Sequence, residues 1–516
     1  MCARLNDEVC SATSFRNKMN QVGFAFDVET SVRELTRPTG YKGLYAFHKY
    51  WGKKPSETVS FLVEQLSRPN DLVFDPFLGS GAIAREAFIR GRRIVGCDLN
   101  PVAIELATLM VAPPPLAETL RYLKEIESAV RADIDRSYLL IDGSIATHYL
   151  WQENNLCQVW KKASRGNLRV ELAPTEADLA VLNQFRSYTP KTLRPLRIFR
   201  NPRINSPGGM QWRDLFTGRA LRNLELLREA ILRIADEPVR KAFMLALTAS
   251  TGQMSKMVFA IQKRGKASGT RSTGRVEVGS WVIGFWRPKL HFEVNVWNCF
   301  ENKTRGLLRG LQSTAADGRR PRISARAMDA LKGDVEVALV NADALELLES
   351  LPEGGIDLVV TDPPHGDRIP YLELSEIWNA VLDKHPSFEK EIVVSDASER
   401  GHTPERYAQR MKRFFELVGG SLSDDGRVAI MFNSRSRAEW KDLASAALSA
   451  GLILVGCFPM AYSAGSVVQD NRSGALKHDY VLLFVSFRSS KQLGSLRARL
   501  QILPNWSEHI PSAGAL

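Results

Sequence analysis

The sequence predicts an α/β protein whose sheet is assembled from two separate stretches of chain. Three observations carry this. Strand and helix patterns alternate between residues 71 and 110, further strand-sized apolar runs follow residue 334, and the stretch between loses the alternation and concentrates positive charge. Strand and helix in alternation imply a parallel sheet with right-handed crossovers.

The elements follow in order. Asp71-Leu-Val-Phe-Asp75 is a short buried-strand pattern, and the turn Pro76 to Gly81 leads into the helical pattern Ala82 to Ile89, which Gly91 breaks. Ile94 to Asp98 is a second strand, and Pro101 opens a second helix at a position that tolerates proline. Pro113-Pro114-Pro115 ends that helix. Leu116, Leu120, Leu123, Ile126, Val130 and Ile134 then recur at helical spacing, a stripe that can pack on the sheet or serve as a spacer. Regularity fades at about Trp151 and returns at about Asp334. Val335 to Val340, Ile356 to Val360, Arg427 to Phe432, Leu452 to Gly456 and Tyr480 to Val485 read as strands. A Rossmann-like sheet split by a large basic insertion is therefore expected. Its divisions are an N-terminal extension (1–40), a first part of the sheet domain (41–150), the insertion (151–330), a second part (331–487) and a tail (488–516).

Composition narrows the class. A chain of 516 residues is too long for one ordinary core. Hydrophobic content of 44% with 24% charged residues is that of a soluble globular protein. No apolar run has the length of a membrane span, and Met1 to Asn20 lacks an apolar signal core, so a cytoplasmic location is expected. The six cysteines form no Cys-x-x-Cys pair and the eight histidines are scattered without His-Glu-x-x-His, so no metal is expected. Residues 151–330 hold 32 Lys and Arg against 14 Asp and Glu, more than the whole net charge of +12. Arg186, Lys191, Arg194, Arg197, Arg200 and Arg203 recur every few residues, and Lys263, Arg264, Lys266, Arg271 and Arg275 follow in a Gly/Ser-rich stretch. Such surfaces attract phosphate backbones through counterion release.

Two segments carry chemistry. In the first, Asp75-Pro-Phe-Leu-Gly-Ser-Gly81, a strand ends in a carboxylate and a Gly-rich turn lets backbone approach a ligand, with Gly79 and Gly81 at the closest approach. Asp98, at the end of the next strand and followed by Asn100-Pro101, suits a ribose diol, whose two hydroxyls both donate to one carboxylate. No Gly-x-x-x-x-Gly-Lys-Ser/Thr loop is present, so a nucleoside cofactor fits better than a triphosphate. The second segment is Thr361-Asp-Pro-Pro-His-Gly-Asp367. The amino nitrogen of a nucleobase is a poor nucleophile, because its lone pair is delocalised into the ring. A site that methylates it must accept hydrogen bonds from its hydrogens. Asp362 accepts one and the Pro363 carbonyl another, the Pro363-Pro364 pair holding that carbonyl in place, with His365 stacking on the base. A target within a duplex would be flipped out. Carbon-5 cytosine chemistry is disfavoured, since no Pro-Cys pair exists, and a serine-elbow hydrolase lacks its Gly-x-Ser-x-Gly.

Asp75-Pro-Phe-Leu-Gly-Ser-Gly with Gly96-Cys-Asp-Leu-Asn-Pro resembles the S-adenosylmethionine motifs of amino-directed DNA methyltransferases, and Asp362-Pro-Pro-His is similar to their Asp-Pro-Pro-Tyr motif. His48 to Pro55 resembles the segment that covers the methionine part of the cofactor, and Asn341-Ala-Asp343 the acidic motif near its adenine. Trp212 to Phe216, Asn295 to Trp297 and Tyr371 to Glu376 resemble an adenine-specific subgroup with a large central insertion. The resemblance implies S-adenosylmethionine as cofactor, held by Lys53, Asp75, Pro76, Phe77, Gly79, Ser80, Gly81, Asp98, Asn100 and Asp343. It implies catalysis by Asp362, Pro363, Pro364 and His365, with His365 and Tyr371 against the base. The implied substrate is DNA adenine, with a restriction or defence partner in view. An RNA base, N4 of cytosine, or a binding-only role in defence are the alternatives. His365 departs from the usual aromatic residue, and only Cys157 stands where relatives carry paired cysteines, so a zinc site is not expected.

Overall fold

The computed structural model describes residues 40–163, 168–262, 276–281, 283–314, 319–364, 366, 369–434, 437–461 and 478–486. His365, Asp367 and the basic residues Lys263, Arg264, Lys266, Arg271 and Arg275 lie outside the described residues, as do the tail and all but the last residue of the N-terminal extension.

Among the described residues the protein is mixed α/β around one eight-stranded sheet. In spatial order its strands are Ile323–Ser324, Val337–Asn341, Arg93–Asp98, Leu72–Asp75, Ile356–Thr361, Leu422–Phe432, His478–Ser486 and Leu452–Ala461. The first six are parallel, and His478–Ser486 runs antiparallel to both of its neighbours. The two strands from before residue 99 thus lie side by side in the middle of the sheet, flanked on both sides by strands from after residue 322. Leu72–Asp75 is buried along its whole length, as a central strand covered on both faces must be, hence its unbroken apolar run. Helices Ala82–Ile89 and Pro101–Val111 lie where the turn residues put them, the second with proline in its first turn.

The intervening chain forms a four-stranded antiparallel sheet in the order Leu290–Val294, Ala146–Gln152, Asn155–Lys162, Arg169–Leu172, with helices Gly218–Leu232, Glu237–Met254 and Val296–Thr314. Helix Leu116–Arg136 buries Ile126, Val130 and Ile134 in this unit, not on the large sheet. Two expected boundaries move accordingly. That at 150 cuts strand Ala146–Gln152, whose backbone pairs with both neighbours, and that at 330 cuts helix Ala327–Lys332, after Ile323–Ser324 has already joined the large sheet. The unit does not have a core to itself. Leu374, Ile377, Trp378 and Val381 belong to the same cluster as Leu215, Phe243 and Trp297, so the central chain is welded to the segment that follows Asp362.

The basic run is also divided by the fold. Arg186, Lys191, Arg197, Arg200 and Arg203 are exposed, but Arg194 turns inward and donates to both oxygens of buried Glu376, at 2.7 and 3.1 Å.

Candidate active site

The carboxyl ends of strands Leu72–Asp75, Arg93–Asp98 and Ile356–Thr361 open into one shared cleft. Among its lining residues are Lys53, Asp75, Pro76, Phe77, Gly79, Ser80, Asp98, Asn100, Asp343, Asp362, Pro364 and Tyr371. Two motifs distant in sequence therefore share one wall. They are tied directly: Thr361 Oγ1 donates to Asp75 Oδ1 at 2.8 Å across 286 positions of chain.

Asp75 is fully buried. Its Oδ1 also accepts the Phe77 amide at 3.2 Å, while Oδ2 has no protein partner among the described residues. Burial, with Asp98 and Asp362 nearby, pushes its carboxyl up to about 8. Asp98 accepts the amides of Gly79 at 2.7 Å and Asn100 at 2.8 Å, one on each oxygen, so it shapes the turn it faces. A carboxylate has about four lone-pair sites, so acceptor capacity remains. Burial raises Asp98 to about 6.

Asp362 Oδ2 lies 3.0 Å from Lys54 Nζ, which also donates to Asp479 Oδ2 at 2.7 Å. The loop beyond is pinned by Tyr407, whose hydroxyl donates to the Pro364 carbonyl at 2.7 Å. Gly52, at φ +71°, lies beside this acid. A Cβ there would meet the Tyr371 hydroxyl at 2.8 Å and Asp362 Oδ2 at 3.7 Å, so glycine keeps the approach open. The Tyr371 ring stacks on Tyr50, centroids 5.8 Å apart and planes 21° from parallel, so one of its faces is already covered.

Several of the expected residues also have structural partners of their own. Gly81 is not among the lining residues. It caps helix Ala82–Ile89 at φ +79°, and a Cβ there would come within 2.5 Å of Ala107 Cα, so its smallness serves helix packing. Pro363 is likewise not among the lining residues. Lys53 Nζ donates to the carbonyls of Tyr45, at 2.9 Å, and His48, fastening its own segment, and burial lowers it to about 7. The lysine that reaches the acid is its neighbour, Lys54. The Asn100 side chain donates to Ser375 at 2.9 Å and Tyr50 at 3.3 Å and accepts from Asn379 at 2.9 Å, an internal network that leaves no donor for a ligand. Asp343 lines the cleft and also caps helix Ala344–Ser350 through the Leu345 amide at 2.7 Å and pairs with Arg410. Lys54 and Asp479 were not anticipated. Their only local signals are a doubled lysine before Pro55 and an acid at the start of an apolar strand.

Residues 26–109 match a DNA methylase family model of N6/N4 methyltransferases. The match takes in Tyr50 to Asn100, the donor-side wall of the cleft, and stops well short of Asp362. The chain is also similar to the type II methyltransferase M1.MboII of Moraxella bovis, 38% identical over 58 residues. That alignment covers 11% of this chain and 22% of the relative, so the chain spans about a fifth of that protein's length. DNA methyltransferases of this family use S-adenosylmethionine, the cofactor expected from the motifs. Among the described residues no cluster of His, Cys, Asp or Glu is arranged to hold a metal, and no helix is long and apolar enough to cross a membrane.

Proposed function

We propose that this protein transfers a methyl group from S-adenosylmethionine to the N6 amino group of adenine in DNA. The observation that carries this is the Thr361–Asp75 tie, which puts the acid of the Asp-Pro-Pro segment and the orphaned carboxylate of the Gly-rich turn in one cleft. The strand order, with the strands of the first chain segment flanked by those of the last, supports a Rossmann-like methyltransferase sheet split by an insertion.

The residues fit the cofactor. It supplies a methyl group already activated on a sulfonium. Asp75 Oδ2, buried without a protein partner, suits the ammonium of its methionine part, and Asp98 has acceptor capacity left for the ribose hydroxyls. On the acceptor side, Asp362 takes a hydrogen bond from the amino group. It strengthens as positive charge develops on the nitrogen, the condition for lowering a barrier rather than merely binding. Lys54 and the Tyr407–Pro364 bond hold the two ends of this segment still. Labelled-methyl transfer to unmethylated duplex DNA and to RNA tests this. Transfer to RNA alone favours an RNA base methylase, and cofactor binding without transfer favours a binding-only role.

Asp75 makes cofactor affinity pH-dependent. With its folded value raised to about 8, the group favours the protonated folded protein, so its contribution to ligand-free stability declines as pH climbs from about 4 towards 8. A cationic ligand selects the carboxylate and releases that proton. Affinity by calorimetry is therefore expected to rise about tenfold or more between pH 6 and pH 8 and to level off above. Asp75→Asn should bind weakly and lose most of that dependence.

The nucleic-acid surface follows from the exposed part of the basic run. Arg197, Arg200, Gly208 and Gly209 line a second cleft beside Glu399, with Arg203 exposed close by in sequence. Arg197→Glu with Arg200→Glu is expected to weaken DNA binding and to reduce the salt slope by about 2, while cofactor affinity stays unchanged. Titrations at several salt concentrations measure this.

A further inference from the structure

We infer that Lys54 and Asp479 are positioning residues that lock the carboxylate of Asp362 in its working orientation, an inference that rests on the methyltransferase function proposed above. The three side chains come from three remote places. Lys54 immediately precedes Pro55, the N-cap of helix Ser56–Leu66, so its backbone is held extended at the entry to a helix. Asp362 follows the central strand Ile356–Thr361. Asp479 lies in strand His478–Ser486, the antiparallel strand of the sheet, opposite Met460.

The geometry ranks the contacts. The Lys54 ammonium is 2.7 Å from Asp479 Oδ2 and 3.0 Å from Asp362 Oδ2, and the side chains are 10%, 1% and 17% exposed in the order lysine, Asp479, Asp362. A charge as buried as Asp479 is costly without a counter-ion. It therefore holds the ammonium on the sheet side, and the ammonium in turn reaches out to the more exposed Asp362. Both acids drive Lys54 well above the ordinary lysine value against the effect of burial, so it remains a cation across the working pH range. A carboxylate gripped at one oxygen cannot swing freely about its side-chain torsion, which is what a preorganised acceptor for an amino hydrogen requires. Lys54 itself lines the cleft, but its ammonium is paired to Asp362 and Asp479, so its effect is assigned to Asp362.

The test is a double-mutant cycle on the full chain, with kcat, DNA KM and cofactor Kd measured for wild type, Lys54→Met, Asp362→Asn and the pair. Lys54→Met is expected to lower kcat about 10- to 100-fold with cofactor Kd and DNA KM within about threefold. In the Asp362→Asn background the same change should cost less than about threefold, because its target is already gone. Lys54→Arg, which keeps the charge, should recover part of the loss. An equal loss of kcat in both backgrounds, or weakened cofactor binding with kcat intact, overturns the inference. If Lys54→Met does not fold because Asp479 is left without a counter-charge, Lys54→Met with Asp479→Asn removes both and carries the same comparison. Denaturant midpoints of the four proteins give a readout that needs no turnover: non-additive shifts are expected, and strict additivity overturns the Lys54–Asp362 contact. A wild type that transfers no methyl group to any nucleic acid while the midpoints remain non-additive refutes the proposed function and leaves the contact standing.

Discussion

Asp362→Ala is expected to lower methyl transfer by about 10²- to 10³-fold, the loss typical when one preorganised hydrogen-bonding group is removed from a transition state. Cofactor affinity should stay within a few-fold, because the polar atoms assigned to the cofactor lie on other strands: Asp75 at the end of Leu72–Asp75 and Asp98 at the end of Arg93–Asp98. Folding should survive as well, since Lys54 keeps its 2.7 Å partner Asp479 and Tyr407 still holds the Pro364 carbonyl. Single-turnover transfer separates this from a binding defect: a fall in rate at saturating DNA and cofactor is the expected result, and an unchanged rate removes Asp362 from catalysis.

The second large effect concerns stability. Arg219, on helix Gly218–Leu232, is 1% exposed and donates to Glu293 Oε1 at 2.8 Å and to the Ser137 carbonyl at 3.0 Å. Its guanidinium also lies 4.3 Å and 4.0 Å from the ring centres of Tyr138 and Tyr149. Glu293, on strand Leu290–Val294, is equally buried. Arg219→Met removes the cation and strands that carboxylate, a loss of about 3–5 kcal/mol. Arg219→Met with Glu293→Leu should recover most of it, since well-packed apolar pairs often replace buried ion pairs at little net cost. Denaturant unfolding of the single and double variants measures both. The pair joins the helices of the central unit to its sheet, so the single variant should loosen that unit first.

What was legible in the sequence was mainly local. Leu72–Asp75 and Ile356–Thr361 stand out because central parallel strands are buried on both faces and read as unbroken apolar runs. Helix Ala82–Ile89 is bounded by glycines and Pro101–Val111 by prolines, signals that act within a turn of the chain. Pairings across long stretches leave no such trace. Lys54 meets Asp479 across 425 positions and Arg194 meets Glu376 across 182, and nothing in the neighbourhood of either residue announces the partner. Several of the expected site residues also carry structural work that, Asp343 apart, their sequence neighbourhood does not announce. Gly81, Lys53, Asn100 and Asp343 have the residue types a ligand site needs, but the same types also close helix packing, fasten a segment, knit an interior and cap a helix. For Asp343 the signal was present, since an acid just before Ala-Leu-Glu-Leu-Leu is an N-cap pattern.

The most direct measurement is transfer of labelled methyl from S-adenosylmethionine to unmethylated duplex DNA, followed by digestion to nucleosides. The expected result is label in N6-methyladenine, lost in Asp362→Ala. Label in N4-methylcytosine would contradict the adenine assignment, and no label in DNA under conditions where the cofactor binds would contradict the proposed activity.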